Sequence, residues 1–211
     1  MLRFTTSWLA SQSRTIFLLL LMIVAGCESS APQTTRLWTA SITKDEFTDE
    51  VTKMATIGSF SQGGVRYTEV GKYYPFVGIK NNTLFVGVRS GGRFRIPVGT
   101  VQLRIDDKPA WTISPEETPV ELMPSGPSMG AYTNIQQGMM TNMAKYMSPY
   151  TATTGDKARQ ILDQMAQGRI VRYRTIGLNQ AASSTGEVKI DTSFFDAVEG
   201  IGINIQKPVR Q

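Results

Sequence analysis

Histidine is absent from this chain of 211 residues, and cysteine occurs once, at Cys27. The lack of histidine removes the commonest general base and the commonest metal ligand from any site that the chain could form. Its serines therefore have no imidazole to activate them. A single cysteine excludes an intramolecular disulfide, although export would permit one. We expect a protein that is not an enzyme and holds no cofactor.

The chain also has only a small excess of positive over negative charge. The formal net charge is +5, and two of the basic residues, Arg3 and Arg14, precede an apolar segment near the N-terminus. The remaining excess of basic over acidic side chains is too small to be read as a nucleic-acid footprint. We therefore expect no nucleic-acid partner.

That apolar segment covers residues 16–25 and runs into Val24-Ala25-Gly26-Cys27. It is shorter than the about 20 residues that a membrane-spanning helix needs, and its flanks are typical of a secretory signal. The last four residues resemble the lipobox of bacterial lipoprotein signal peptides. The resemblance implies cleavage before Cys27, a diacylglycerol on its thiol and acylation of its freed amine. The alternative is an ordinary secretory signal in which Cys27 is incidental.

The predicted domain organisation follows from this anchor. Residues 1–26 would be the signal peptide, residues 27–35 the acylated cysteine with a small polar tether, and residues 36–211 a single domain. Several acyl chains form a stable membrane tether, because each buried methylene contributes about 0.8 kcal/mol. Glu28 follows the cysteine, whereas an aspartate there tends to hold enteric lipoproteins in the inner membrane. We expect a lipid-anchored protein of the bacterial envelope, at the outer membrane and facing the periplasm.

Residues with β propensity dominate the centre of the chain. Asn81-Asn82 and Gly91-Gly92 have the permissive backbone that tight turns need. They separate the first three of four strand candidates, at residues 76–79, 83–89, 93–98 and 100–106. We interpret residues 76–106 as one antiparallel meander.

Two helices are predicted after a proline-rich loop at residues 114–130. Residues 131–147 place apolar side chains at three- and four-residue steps, and residues 156–167 do the same before a glycine cap at Gly168. The face of the second helix consists of Ala158, Ile161, Leu162 and Met165. The fold class is therefore α+β: an antiparallel, β-rich, sandwich-like domain with about two helices packed on or beside the sheet.

Residues 76–198 are similar to the invasion-associated locus B family of secreted proteobacterial proteins. The segments that carry the similarity are FRIPVGTVQLRID at 94–106, ILDQMAQGRIVRYRTIG at 161–177 and TGEVKIDTSFFDAV at 185–198. The family usually carries paired cysteines, which this chain lacks. The resemblance implies a compact β-rich envelope domain with a binding or host-contact role, and it supplies no catalytic residues.

Methionine is concentrated in the first predicted helix and the loop before it. Six of the ten methionines fall between Met123 and Met147. Helical spacing brings four of them within reach of one another: Met139, Met140, Met143 and Met147. Thioether sulfur is a soft ligand that suits Cu(I). The simpler interpretation is an adaptable apolar face that contacts the sheet or a partner.

Several arginines fall on or beside the predicted strands: Arg89, Arg93, Arg95, Arg104, Arg172 and Arg174. Alternate residues of a strand share a face, so Arg93 lies beside Arg95 and Arg172 beside Arg174. These two pairs could contact anionic lipid headgroups, phosphates or polysaccharide. A solvated sheet face is the simpler interpretation.

The expected function is that of a non-enzymatic binding or assembly module, held at the envelope by the lipid on Cys27. Its partners would be the membrane and either envelope proteins or polysaccharide. The rival expectation is a periplasmic Cu(I)-binding protein that uses the methionine-rich helix.

Overall fold

The computed structural model describes residues 38–57, 71–92, 96–123, 134–176 and 182–206. These residues form two antiparallel sheets, one of five strands and one of four. The strands are β1 (Trp38–Lys44), β2 (Val51–Ile57), β3 (Tyr73–Lys80), β4 (Thr83–Ser90), β5 (Thr100–Ile105), β6 (Trp111–Ile113), β7 (Tyr150–Thr154), β8 (Ile170–Ile176) and β9 (Ala182–Lys189). The first sheet has the order β1-β2-β3-β4-β7, and the second has the order β6-β5-β8-β9.

The β3–β4 hairpin forms where the asparagine pair predicted a turn. Lys80 pairs with Thr83, and the two residues between them, Asn81 and Asn82, have φ angles of 48° and 62°. A two-residue hairpin turn needs left-handed backbone at both central positions, and asparagine tolerates that conformation well. The local sequence therefore fixes the register of this hairpin.

The predicted meander is wrong beyond β4. Strand β5 belongs to the second sheet, where it pairs with β6 and β8. Residues 96–99 form no strand, because Pro97 has no N–H to donate to a ladder and Gly99 turns the chain with a φ angle of 73°. The chain therefore changes sheets between β4 and β5.

One hydrophobic core joins the inner faces of both sheets. On β5, Val101, Leu103 and Ile105 are buried, and the residues between them point outward. The hydroxyl of Tyr173 on β8 also donates a hydrogen bond to the backbone oxygen of Tyr73 on β3, at 2.7 Å. The two sheets thus form a sandwich whose outer faces are left for other contacts.

Three helices accompany the sheets: α1 (Asn134–Tyr146), α2 (Gly155–Gln167) and α3 (Thr192–Gly200). Helix α2 contacts β4 and β7 and buries the predicted apolar face, and α3 contacts β1 and β2. Gly168 is the C-cap of α2, as predicted. The α+β, sandwich-like fold class is confirmed.

The helices that cover the sheets are α2 and α3, however, and not the methionine-rich helix. Helix α1 contacts a short 3₁₀ helix, Pro115–Glu117. Lys145 donates to the Glu116 backbone oxygen at 2.7 Å, and the Tyr146 hydroxyl donates to its carboxylate at 2.9 Å. The apolar spacing of α1 therefore predicted a helix correctly, but its methionines are not buried against a sheet.

A second, smaller apolar cluster lies on the outer face of the first sheet. It contains Phe76, Phe85, Ala152 and Leu122, the last from a second 3₁₀ helix, Val120–Leu122. Phe76 and Phe85 meet edge to face, with ring centroids 5.9 Å apart. This part of the outer face is therefore apolar.

Within the described ranges, every helix is too short or too polar to cross a lipid bilayer.

Candidate anion-binding groove

Arg172 and Arg174 share the outer face of the second sheet. They alternate along β8 with Val171, Tyr173 and Thr175, all of which are buried. The core therefore holds one side of β8 and directs both guanidinium groups toward solvent.

The neighbouring strands bring a third arginine to the same place. In the register of the sheet, Arg104 of β5 lies directly opposite Arg172, and Gln102 lies opposite Arg174. On the other side of β8, Glu187 of β9 lies opposite Arg172. These five residues line a shallow groove of about 580 Å³, which we call the arginine groove.

The arginine groove places like charges side by side. Cross-strand neighbours have Cβ atoms about 5 Å apart, and like charges at such positions destabilise a sheet. Part of the repulsion between Arg104 and Arg172 is offset by Glu187, whose carboxylate accepts a 2.8 Å bond from the Nε of Arg172. Asp107 adds little, because its side chain is 97% exposed and its nearest oxygen lies 3.9 Å from Arg104 and 4.0 Å from Arg172.

Arg174 differs from its two neighbours in its partners. Its Nε donates to the Oε1 of Gln102 at 2.6 Å. In the part of the chain that the structure describes, no carboxylate forms an ion pair with it. Since a guanidinium carries five N–H donors, Arg174 retains donors for a further acceptor.

The groove rests on a rigid support. The Asp106 carboxylate, in the turn after β5, accepts bonds from the backbone N–H groups of Arg169 at 3.1 Å and Ile170 at 2.9 Å, which fixes the start of β8. Gly186 of β9 leaves room for the Tyr173 ring, since a Cβ at that position would overlap the ring. Asp106 and Asp107 form the turn that follows β5.

Arg89 is not part of a basic surface. It is 7% exposed, on the outer face of the first sheet. Its Nε donates to the Thr56 hydroxyl at 3.0 Å, one Nη donates to the Ile57 backbone oxygen at 3.3 Å, and its guanidinium lies 5.7 Å from the centre of the Tyr74 ring. This arginine binds together β2, β3 and β4.

Met139, Met140 and Met143 of α1, and Met147 directly after it, are all exposed. The exposed fractions of Met139, Met140, Met143 and Met147 are 70%, 40%, 70% and 57%. We call these four side chains the methionine face. Among the described residues, no group of acidic, histidine or cysteine side chains could hold a metal ion.

Three of the predicted site residues, Cys27, Arg93 and Arg95, lie outside the described residues. So does the segment Gly126-Pro127-Ser128-Met129-Gly130, which has the G-x-S-x-G spacing of some serine hydrolases. That motif needs a histidine base, and the chain contains none.

Comparison with protein-family models, with curated proteins and with solved structures finds no match to the chain. The lipobox and the resemblance to the invasion-associated locus B family stay predictions from the sequence.

The sequence predicts that Arg172 and Arg174 share one face of a strand, but it does not place Arg104 or Gln102 beside them. The alternation of β5 already indicated that these two side chains point away from the core. Their neighbours remained unknown because β5 and β8 are separated by more than 60 residues, and no local signal specifies that pairing.

Proposed function

We propose that this protein is a lipid-anchored module of the bacterial envelope that binds phosphate groups in the arginine groove without catalysing a reaction. The observation that carries the proposal is Arg174, an exposed arginine beside two others that has no ion-pair partner in the described residues. The anchor rests on the lipobox and Cys27.

The charge arrangement supports an anionic ligand. Among the described residues, the carboxylates that form ion pairs with these three guanidinium groups are Glu187 and the solvent-exposed Asp107. Arg104 and Arg172 also donate to backbone oxygens of the turn after β5. An anion bound between Arg104, Arg172 and Arg174 would reduce the repulsion between their guanidinium groups. The planar guanidinium group of arginine can also donate two parallel hydrogen bonds to two oxygens of one phosphate, whereas the ammonium group of lysine acts as a point charge.

The shape of the site supports a group presented at a surface. The groove is shallow and open, and none of its described lining residues comes from a helix. Small-molecule substrates usually bind in deep, mostly apolar clefts. A phosphate carried by a lipid headgroup or by a phosphorylated polysaccharide fits the arginine groove better.

A binding role fits the chemistry of the groove as well. Arginine stays protonated at any physiological pH, so it can hold an anion but cannot act as a general base. We therefore assign Arg104, Arg172 and Arg174 to ligand contact, with Gln102 orienting Arg174.

The proposal is tested with the chain that carries Cys27→Ser, so that acyl chains do not contribute to binding. Sedimentation with vesicles of phosphatidylglycerol and phosphatidylcholine reports headgroup binding, and titration with inorganic pyrophosphate reports soluble phosphate. We expect Arg174→Gln to weaken binding about tenfold, since one charge-assisted hydrogen bond contributes about 1.5 kcal/mol. Binding to vesicles alone identifies a headgroup, and binding to both probes identifies the phosphate group itself.

Arg159→Gln is the matched control, because Arg159 is exposed on α2 and the substitution changes the net charge equally. Its affinity should stay within about twofold of the parent, as expected for a distant screened charge. Equal losses in both variants, or no binding to either probe, would overturn the arginine groove as a phosphate site. For the anchor, Cys27→Ser should move the protein out of the membrane fraction of cells, and persistence there would contradict lipidation.

A further inference from the structure

The methionine face of α1 is apolar and open to solvent. Met139 and Met143 are each 70% exposed, Met147 is 57% exposed and Met140 is 40% exposed, whereas the described methionines elsewhere in the chain, Met54, Met123 and Met165, are buried or half-buried. Methionine is normally among the more buried residues, and clustered exposed apolar side chains usually mark a site of contact.

Helical geometry groups three of these side chains around one point. Met139 and Met140 lie four and three residues before Met143, and residues at both spacings have Cβ atoms about 5–6 Å apart on a helix surface. Each methionine has three rotatable side-chain bonds, so the three sulfurs can converge above the helix. Met147 follows Met143 by four residues but lies just beyond the end of the helix at Tyr146.

The chemistry of this surface selects the kind of ligand. Helix α1 carries one charged residue, Lys145, which is engaged with the Glu116 backbone oxygen. Hard divalent cations prefer carboxylate oxygens, and the helix has none. Neutral thioethers instead favour a soft cation of low charge, and Cu(I) is the common example.

We propose that Met139, Met140 and Met143 form a Cu(I) site of three thioether ligands on the exposed face of α1. The site is independent of the arginine groove, since no residue is shared between them. Met147 lies outside it and serves as an internal comparison.

The test uses the full chain carrying Cys27→Ser, because a free thiol would itself bind Cu(I). Under reducing and anaerobic conditions, the protein competes for Cu(I) with a chromophoric chelator. We expect one Cu(I) per chain and a loss of affinity of at least tenfold in Met143→Leu. Leucine keeps the size, apolar character and helix propensity of methionine, so the substitution removes the sulfur alone.

Met147→Leu is the matched control and should change the affinity less than threefold. Circular dichroism of both variants checks that the helix content is unchanged. Failure to withdraw Cu(I) from the chelator, or a Met143→Leu variant that binds as the parent does, would overturn the site. An equal loss in Met147→Leu would overturn the assignment of these three ligands.

Discussion

Arg89 and Arg174 both lie on outward positions of β strands, but they are in opposite surroundings. Arg89 is 7% exposed and binds Thr56 and Ile57, whereas Arg174 faces solvent and binds Gln102. The outer face of the first sheet carries aromatic rings and is capped by Leu122, and the outer face of the second sheet carries mostly charged and amide side chains. One arginine is therefore structural, and the other is available to a ligand.

Alternation along a strand specifies the face of a side chain but not its exposure. Whether an outward side chain meets water depends on a further layer, which distant parts of the chain supply. Here Leu122, from the second 3₁₀ helix, joins the apolar cluster on the first sheet, whereas Arg104, Arg172 and Arg174 on the second sheet are exposed. Three charged side chains, Arg89, Glu117 and Arg172, differ in burial, and their substitution should have graded effects on stability.

Arg89→Ala should have the largest effect, a loss of about 3 kcal/mol in the free energy of unfolding. The substitution removes hydrogen bonds from a buried guanidinium and leaves a cavity between β2 and β4. Urea denaturation followed by circular dichroism measures it. Arg89→Lys should recover part of the loss, because it keeps the charge without the planar fork. A loss below about 1 kcal/mol in Arg89→Ala would contradict the structural role of Arg89 and so its contrast with the exposed Arg174.

Glu117→Gln should have an intermediate effect, about 1 kcal/mol at neutral pH. Glu117 forms a half-buried ion pair with Lys157 at 2.8 Å and also accepts a bond from the Thr153 hydroxyl at 2.9 Å. Lys157 in turn donates to the backbone oxygen of Thr112 on β6, so the pair links the edges of the two sheets. Thermal unfolding of the variant and the parent at pH 7 gives the difference.

The same pair predicts how stability depends on pH. Burial raises the pKa of Glu117, but the bonds from Lys157, Ser114 and Thr153 outweigh it and hold the pKa below its ordinary value. A carboxyl group with a lowered pKa in the folded state stabilises the protein above its ordinary pKa and loses that contribution as the pH falls. The difference between parent and Glu117→Gln should therefore shrink below about pH 5. If the difference in stability between the parent and Glu117→Gln stays constant down to pH 3, the effect of the substitution comes from packing and not from the ionised carboxylate.

Arg172→Ala should have the smallest effect on stability, within about 0.5 kcal/mol. Its ion pair with Glu187 is solvent-exposed, with 45% and 53% of the two side chains accessible, and removal of one arginine also relieves repulsion from Arg104. Urea unfolding at low and high salt measures both contributions. A loss comparable to that of Arg89→Ala would show that the arginine groove is part of the scaffold and would weaken its proposed role in binding.

Much of the fold could be read from local sequence signals. Asn81-Asn82 predicted the β3–β4 hairpin, and the apolar spacing of residues 156–167 predicted α2 with the face that it buries. In each case the decisive interactions join residues that are close in the chain. The α+β class followed from counting such elements.

The predictions that were wrong or incomplete concern contacts between segments that are distant in the chain. The partner of β5 depends on pairing with β8, and the burial of Arg89 depends on Thr56 and Ile57 of β2. The methionines of α1 have the spacing of a buried face, yet the helix lies against a 3₁₀ helix and not on a sheet. Local periodicity cannot separate these outcomes, because the same pattern suits either environment.

The way in which α1 is attached determines how readily its amide hydrogens exchange with solvent in the folded protein. Its described contacts are concentrated at Lys145 and Tyr146, in its last turn, and most of its described side chains are exposed. Such a segment opens locally at a free-energy cost far below that of global unfolding, so its amide hydrogens exchange with solvent while those of the sheets stay protected. A ligand that bridges two successive turns of α1 would slow this exchange and leave the exchange of the β strands unchanged.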